Sequence, residues 1–193
     1  MITRRDWLRL SATATAALGL KPNLLMALQD GAVNTRPIPS SGEQLPVIGL
    51  GGRRINSNSS VEELADHRAV MHELAKDAEG VGRLFDSAAG YGGGGSEEYG
   101  GQWGDEDGFG DDIFWATKVN VVGRGSSEAD PAAVREQIER SFERMRRDVI
   151  DLNQVHNMGD PATQLGILKE YKDEGRIRYI GITTTSARQY GEL

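Results

Sequence analysis

The chain has 193 residues, 38% hydrophobic and 26% charged, enough to bury one sizeable core. Its net charge is -7; residues 1–30 hold four basic and two acidic side chains, so the remainder carries -9, which argues against a nucleic-acid partner. With no cysteine, disulfides, thiolate metal sites and a cysteine nucleophile are excluded.

In chain order, residues 1–30 read as an address. Arg4 and Arg5 open the string "TRRDWLRL", and the mildly apolar "SATATAALGL" follows. The pattern resembles a bacterial twin-arginine export signal and implies transport to the periplasm; a plain basic extension on a cytoplasmic protein is the alternative. Roughly ten to twelve apolar residues are too few for a stable membrane span. The body, residues 36–193, alternates strand and helix patterns. Strands are predicted at 46–52, 81–88 and 112–120 and in "VIDLNQVHN" and "RYIGITTT". Helices are predicted at 60–78, with Ser60 as cap and Glu63 completing a capping box, and at 130–148, with Asp130 as cap and Pro131 in the first turn. "DPATQLGILKEYKDEGRI" makes a further helical unit, and "SEEYGGQWG" a short helix candidate weakened by glycine. Strands separated by helices imply crossovers and a parallel α/β sheet.

Four chemistry-bearing residues stand where strands run out: Asp86, Tyr91, Lys118 and His156. A phenol is a poor acid at neutral pH, with an unperturbed pKa of about 10, and a neighbouring ammonium favours its ionised form. Tyr91 is therefore a candidate proton donor, Asp86 a partner that holds Lys118 charged and aimed, and His156 a group to orient a carbonyl oxygen or relay the proton. In "IFWATK", Lys118 shares a face with Phe114 and Ala116, so it is expected to point to the inside of the sheet. Catalytic groups drawn from the ends of several strands favour a barrel over a doubly wound sheet.

The order Asp, Tyr, Lys, His, with five residues from the first to the second and each later member on the next strand, resembles the aldo-keto reductase family. "RPIPSSGEQLPVIGLGG" is similar to that family's opening segment and first barrel strand, and "EGRIRYIGITTTS" to its fifth strand. The resemblance implies a parallel (β/α)8 TIM barrel, of which about the first five βα units are expected here, because a full barrel takes about 250 residues. It also implies NADPH, or NADH, as hydride donor, a small carbonyl compound as substrate, Tyr91 as general acid, and Asp86, Lys118 and His156 as its partners. Cofactor contacts would fall to Gly52, Asp86, Thr183 and Thr184. Thr183 and Thr184 stand where the family has Ser-Asn, so Thr183 keeps a hydroxyl and Thr184 lacks the amide. Such a partial barrel would have open edges on its outer strands, so a non-catalytic barrel piece that pairs with another chain is the second reading.

Rival motifs carry less. Gly90, Gly92 and Gly95 satisfy a dinucleotide-binding G-x-G-x-x-G, yet a glycine-rich run meets that pattern cheaply, and the preceding strand ends with Asp86, a carboxylate where a phosphate-binding turn avoids negative charge. "DEDGFGDD" lacks the closing Glu of a calcium loop, its twelfth position being Ala116, and reads as a solvated acidic loop. His67 and His72 are turned about 140° apart on a helix, so no metal site is expected. In "REQIERSFERMRRD", Ile138, Phe142 and Met145 form an apolar stripe beneath a charged outer face.

Overall fold

The computed structural model describes residues 34–76, 83–122 and 127–191; the export-type segment lies outside them. The chain divides into two compact units, Met1–Val47 and Ile48–Leu193. In the first, β1 (Thr35–Pro37) and β2 (Gln44–Pro46) form an antiparallel hairpin. The expectation of one strand over 46–52 is corrected here. Pro46 belongs to β2, and the Val47 amide donates to the Asn34 carbonyl (2.9 Å), extending the hairpin.

The second unit carries five parallel strands in sequential order: β3 (Leu50–Gly51), β4 (Arg83–Asp86), β5 (Ile113–Val119), β6 (Ile150–Val155) and β7 (Ile177–Ile182). Each strand lies beside its predecessor, as in the wall of a (β/α) barrel; a doubly wound sheet would reverse its order. The register places Lys118 beside Gln154 and Gln154 beside Gly181, while Thr117 lies beside Asn153 and Asn153 beside Ile180. Successive side chains alternate faces, so these rows lie on opposite sides of the sheet.

Four helices join the strands: α1 (Val61–Ala75), α2 (Gly95–Glu106), α3 (Pro131–Met145) and α4 (Pro161–Asp173). α1 begins with the expected capping box, the Ser60 side chain accepting from the Glu63 amide and Glu63 accepting from the Ser60 amide. α3 starts on Asp130 and ends three residues before the predicted 148. Arg146 there turns left-handed (φ 53°), and the amides of Arg146 and Arg147 satisfy the last carbonyls. Its stripe Val134, Ile138, Phe142 and Met145 is buried with Phe85, Trp115 and Val119 of the sheet and Ile167, Leu168 and Tyr171 of α4. Phe85 and Trp115 meet edge to face at 5.7 Å.

α2 is longer than its composition suggests, because its glycines are its packing face. A side chain at Gly100 would press on Phe85, at Gly101 on the backbone of Arg144 and Met145, and at Gly104 on Trp115 and Gly110. What the helix loses in intrinsic propensity it recovers by close approach to the sheet and to α3.

In the acidic loop Asp105, Glu106, Asp111 and Asp112 are exposed, as expected, and ion pairs tie the loop down as well. Arg147 pairs with Asp105 and, at 3.1 Å, with Asp111, while Asp107 pairs with Arg68 and His72. The Arg68 guanidinium holds the Asp107 carboxyl below the usual range. Folding brings these arginines from roughly forty residues away. Among the described residues no helix is long and apolar enough to cross a membrane.

Candidate active site

The four residues meet at the C-terminal ends of β4, β5 and β6. Asp86 is the last residue of β4 and Lys118 the penultimate residue of β5, one strand over. The Lys118 ammonium donates to Asp86 Oδ2 and to the Ser87 carbonyl, each at 2.7 Å. The lysine side chain is 7% exposed and the aspartate 38%, so the ammonium is buried and its counter-charge reaches the open side. A buried ammonium demands such pairing, since desolvation without it is costly.

Tyr91 reaches the lysine through a tight turn. The chain leaves β4, the Ala89 amide donates to the Lys118 carbonyl (3.1 Å) and the Tyr91 amide to the Ala88 carbonyl (2.9 Å). Gly92, Gly93 and Gly94 follow with φ of 59°, 69° and 100°, a left-handed run that only glycine adopts readily. The turn leaves Lys118 Nζ 4.9 Å from the centroid of the Tyr91 ring, and His156 meets that ring edge-on at 5.8 Å. Among the described residues nothing hydrogen-bonds the Tyr91 hydroxyl, so lysine and histidine flank the ring and its oxygen is left for another acceptor. Burial first, and then the Lys118 ammonium, lower the His156 pKa from the ordinary imidazole value, with Asp86 opposing them.

Residues expected to touch a cofactor have internal partners. Gly52 is buried against Ser96 and Phe85, where any side chain would overlap both. Thr183, just past β7, secures the turn that carries His156. Its Oγ1 accepts from the Asn157 amide (3.2 Å) and its carbonyl from the Met158 amide (3.0 Å). Asn157 and Met158 both hold positive φ, a conformation that neighbouring bonds must enforce. Thr184 Oγ1 donates to Gln189 (2.5 Å) and accepts from the Ser186 amide (3.0 Å). A polar cavity of about 580 Å³ lined by Arg53, Arg54, Asn56, Asn58, Ser59 and Glu63 contains none of the four residues. Among the described residues no His and carboxylate cluster could hold a metal.

Sequence reasoning missed one contributor, the Ser87 carbonyl that accepts from Lys118, because a backbone group carries no side-chain signal.

Residues 47–193 match the Aldo/keto reductase family, and the chain belongs to it. The aldo-keto reductase yakc [NADP(+)] of Schizosaccharomyces pombe is 30% identical over 165 residues, covering 81% of this chain and 47% of its own length. The aldo-keto reductase str7 of Strobilurus tenacellus is 39% identical over 109 residues, 54% of this chain and 31% of its own. Among solved structures, the holo form of aldo-keto reductase AKR11C1 from Bacillus halodurans superposes with a TM-score of 0.65 at 27% identity, covering 83% of this chain and 53% of that one. The chain thus spans about half the length, or less, of these relatives.

Proposed function

We propose that this protein reduces aldehydes or ketones to alcohols with a hydride from NADPH, or from NADH, and that Tyr91 is the general acid. The carrying observation is the convergence of Lys118, paired at 2.7 Å with Asp86, on one face of the Tyr91 ring while His156 closes its edge. The nicotinamide, when bound, supplies the hydride that goes to the carbonyl carbon. Tyr91 Oη gives its proton to the carbonyl oxygen. The buried Lys118 charge favours the phenolate left behind, and Asp86 keeps that charge in place. His156, held below the imidazole range, is neutral near pH 7 and orients the carbonyl by hydrogen bonding. Water then reprotonates Tyr91.

The residues present fit a dinucleotide's polar end. Lys118 occupies only Oδ2 of Asp86, so Oδ1 remains to accept from a ribose hydroxyl. Thr183 Oγ1 accepts from Asn157 and keeps its proton to donate. NADP as the cofactor is supported by the name of the fission-yeast relative.

The test is Tyr91→Phe in the full-length protein, with carbonyl-dependent oxidation of NADPH as readout. Turnover is expected to fall about a hundredfold or more, with NADPH affinity unchanged. Retained turnover would sink the assignment. Export through the twin-arginine route belongs to the same proposal, and Arg4→Lys with Arg5→Lys is expected to leave the protein in the cytoplasm.

A further inference from the structure

Behind the sheet lies a charged network that the proton transfer does not use. Glu97, in the first turn of α2, is fully buried. Its Oε1 accepts from Thr117 Oγ1 at 2.5 Å, and Arg144 Nη1 lies 3.4 Å from Oε2. Arg144 also donates, from Nη1, to the Ala89 carbonyl at 3.1 Å. Its guanidinium packs beneath Gly94 so closely that any side chain there would overlap it. Ala89 and Gly94 bracket Tyr91, and Thr117 precedes Lys118. The network therefore runs from the lysine strand, through Glu97 and Arg144, to both ends of the tyrosine turn.

We propose that Arg144, oriented by Glu97, is a positioning residue for proton transfer: it fixes the turn 89–94 so that Tyr91 stays against Lys118. The inference rests on the reading of Tyr91 as the acid. Three consecutive left-handed glycines give that turn little rigidity of its own. Its geometry must come from outside, and Arg144 supplies a hydrogen bond at one end and a steric floor at the other. Glu97 is the carboxyl that holds the guanidinium in place; burial pushes its pKa up, and Arg144 opposes that shift. A lysine could carry the charge but would lose the flat guanidinium whose Cζ, Nη1 and Nη2 together form the floor under Gly94.

The experiment uses the full-length protein and the variants Arg144→Lys, Arg144→Ala and Glu97→Gln. A displacement of about 1 Å at a reacting group can cost about a hundredfold in rate. Arg144→Ala is accordingly expected to lower kcat about a hundredfold and Arg144→Lys about tenfold, with KM and NADPH affinity within about twofold of wild type. The deciding measurement is the combination with Tyr91→Phe. Once the acid is gone its placement no longer matters, so the double variant should be no slower than Tyr91→Phe alone. A second full loss in the double variant, or an unchanged kcat in Arg144→Lys and Arg144→Ala, overturns the proposal. Should Arg144→Ala fail to fold, Arg144→Lys and Glu97→Gln carry the same comparison. Should the wild type reduce no carbonyl, the catalytic reading fails on its own. Amide hydrogen exchange then tests the strut: about tenfold faster exchange across 90–94 in Arg144→Lys at unchanged melting temperature supports it, and unchanged exchange overturns it.

Discussion

Lys118 donates to Asp86 at 2.7 Å from almost complete burial, while more than a third of the aspartate side chain stays exposed. The pair is asymmetric, and so are the expected consequences of breaking it. Lys118→Met removes the charge beside the phenol and should lower turnover about a hundredfold or more. Asp86→Asn leaves the ammonium its bond to the Ser87 carbonyl and should cost about tenfold. Steady-state kinetics of both in the full-length protein decide this, and a more damaging Asp86→Asn would contradict it.

His156 should titrate below the ordinary value of 6.5, because burial and Lys118 disfavour its charged form. Between its folded value and 6.5 the folded chain binds fewer protons than the unfolded one. Stability therefore rises with pH across that window and this contribution is flat above it. Proton NMR of the imidazole checks the midpoint. Lys118→Met should raise it and Asp86→Asn should lower it further; a wild-type midpoint above 6.5 would contradict the assignment of causes.

Asn153, wholly buried on β6, has no hydrogen-bond partner among the described residues for either side-chain polar atom. An apolar residue of similar size removes that desolvation cost, so Asn153→Leu should stabilise by about 1–2 kcal/mol. The melting temperature should rise about 2–4 °C for each kcal/mol. A lower melting temperature would indicate that the amide is satisfied by a buried water.

Two glycine-to-alanine changes should have opposite signs. At Gly166, exposed on α4 with open space where a side chain would go, alanine should stabilise by about 1 kcal/mol through helix propensity. At Gly101 the same gain is outweighed by overlap with the backbone of Arg144 and Met145, and overpacking of this kind costs about 1–3 kcal/mol. Denaturant melts of the two variants give the comparison, and the same sign for both would defeat it.

The four residues that meet at the strand ends were legible because each interrupts an apolar run, a local event that sequence displays. The caps were legible for the same reason: Ser60 with Glu63, and Asp130 with Pro131, act within one turn. Glu97 was not, since in sequence it is one more acid in "SEEYGG". Its burial arises from Thr117 and Arg144, both at least twenty residues away. The glycines of α2 mislead for a related reason, because propensity registers their cost and only the fold shows what they approach. The fold class followed from the alternation of elements. The hairpin at β1 and β2 did not, because Pro46 joins the strand before it and not the one after.

The glycine-built helix α2 also fixes when the tyrosine turn can exist. A twelve-residue helix with Gly95, Gly100, Gly101 and Gly104 in it has almost no tendency to form alone. It is held helical by seating against Phe85, Trp115 and α3. The turn that precedes it inherits that dependence. The placement of Tyr91 thus depends on the packing of the wall behind it, and a change that unseats α2 should release the turn without touching any residue in it.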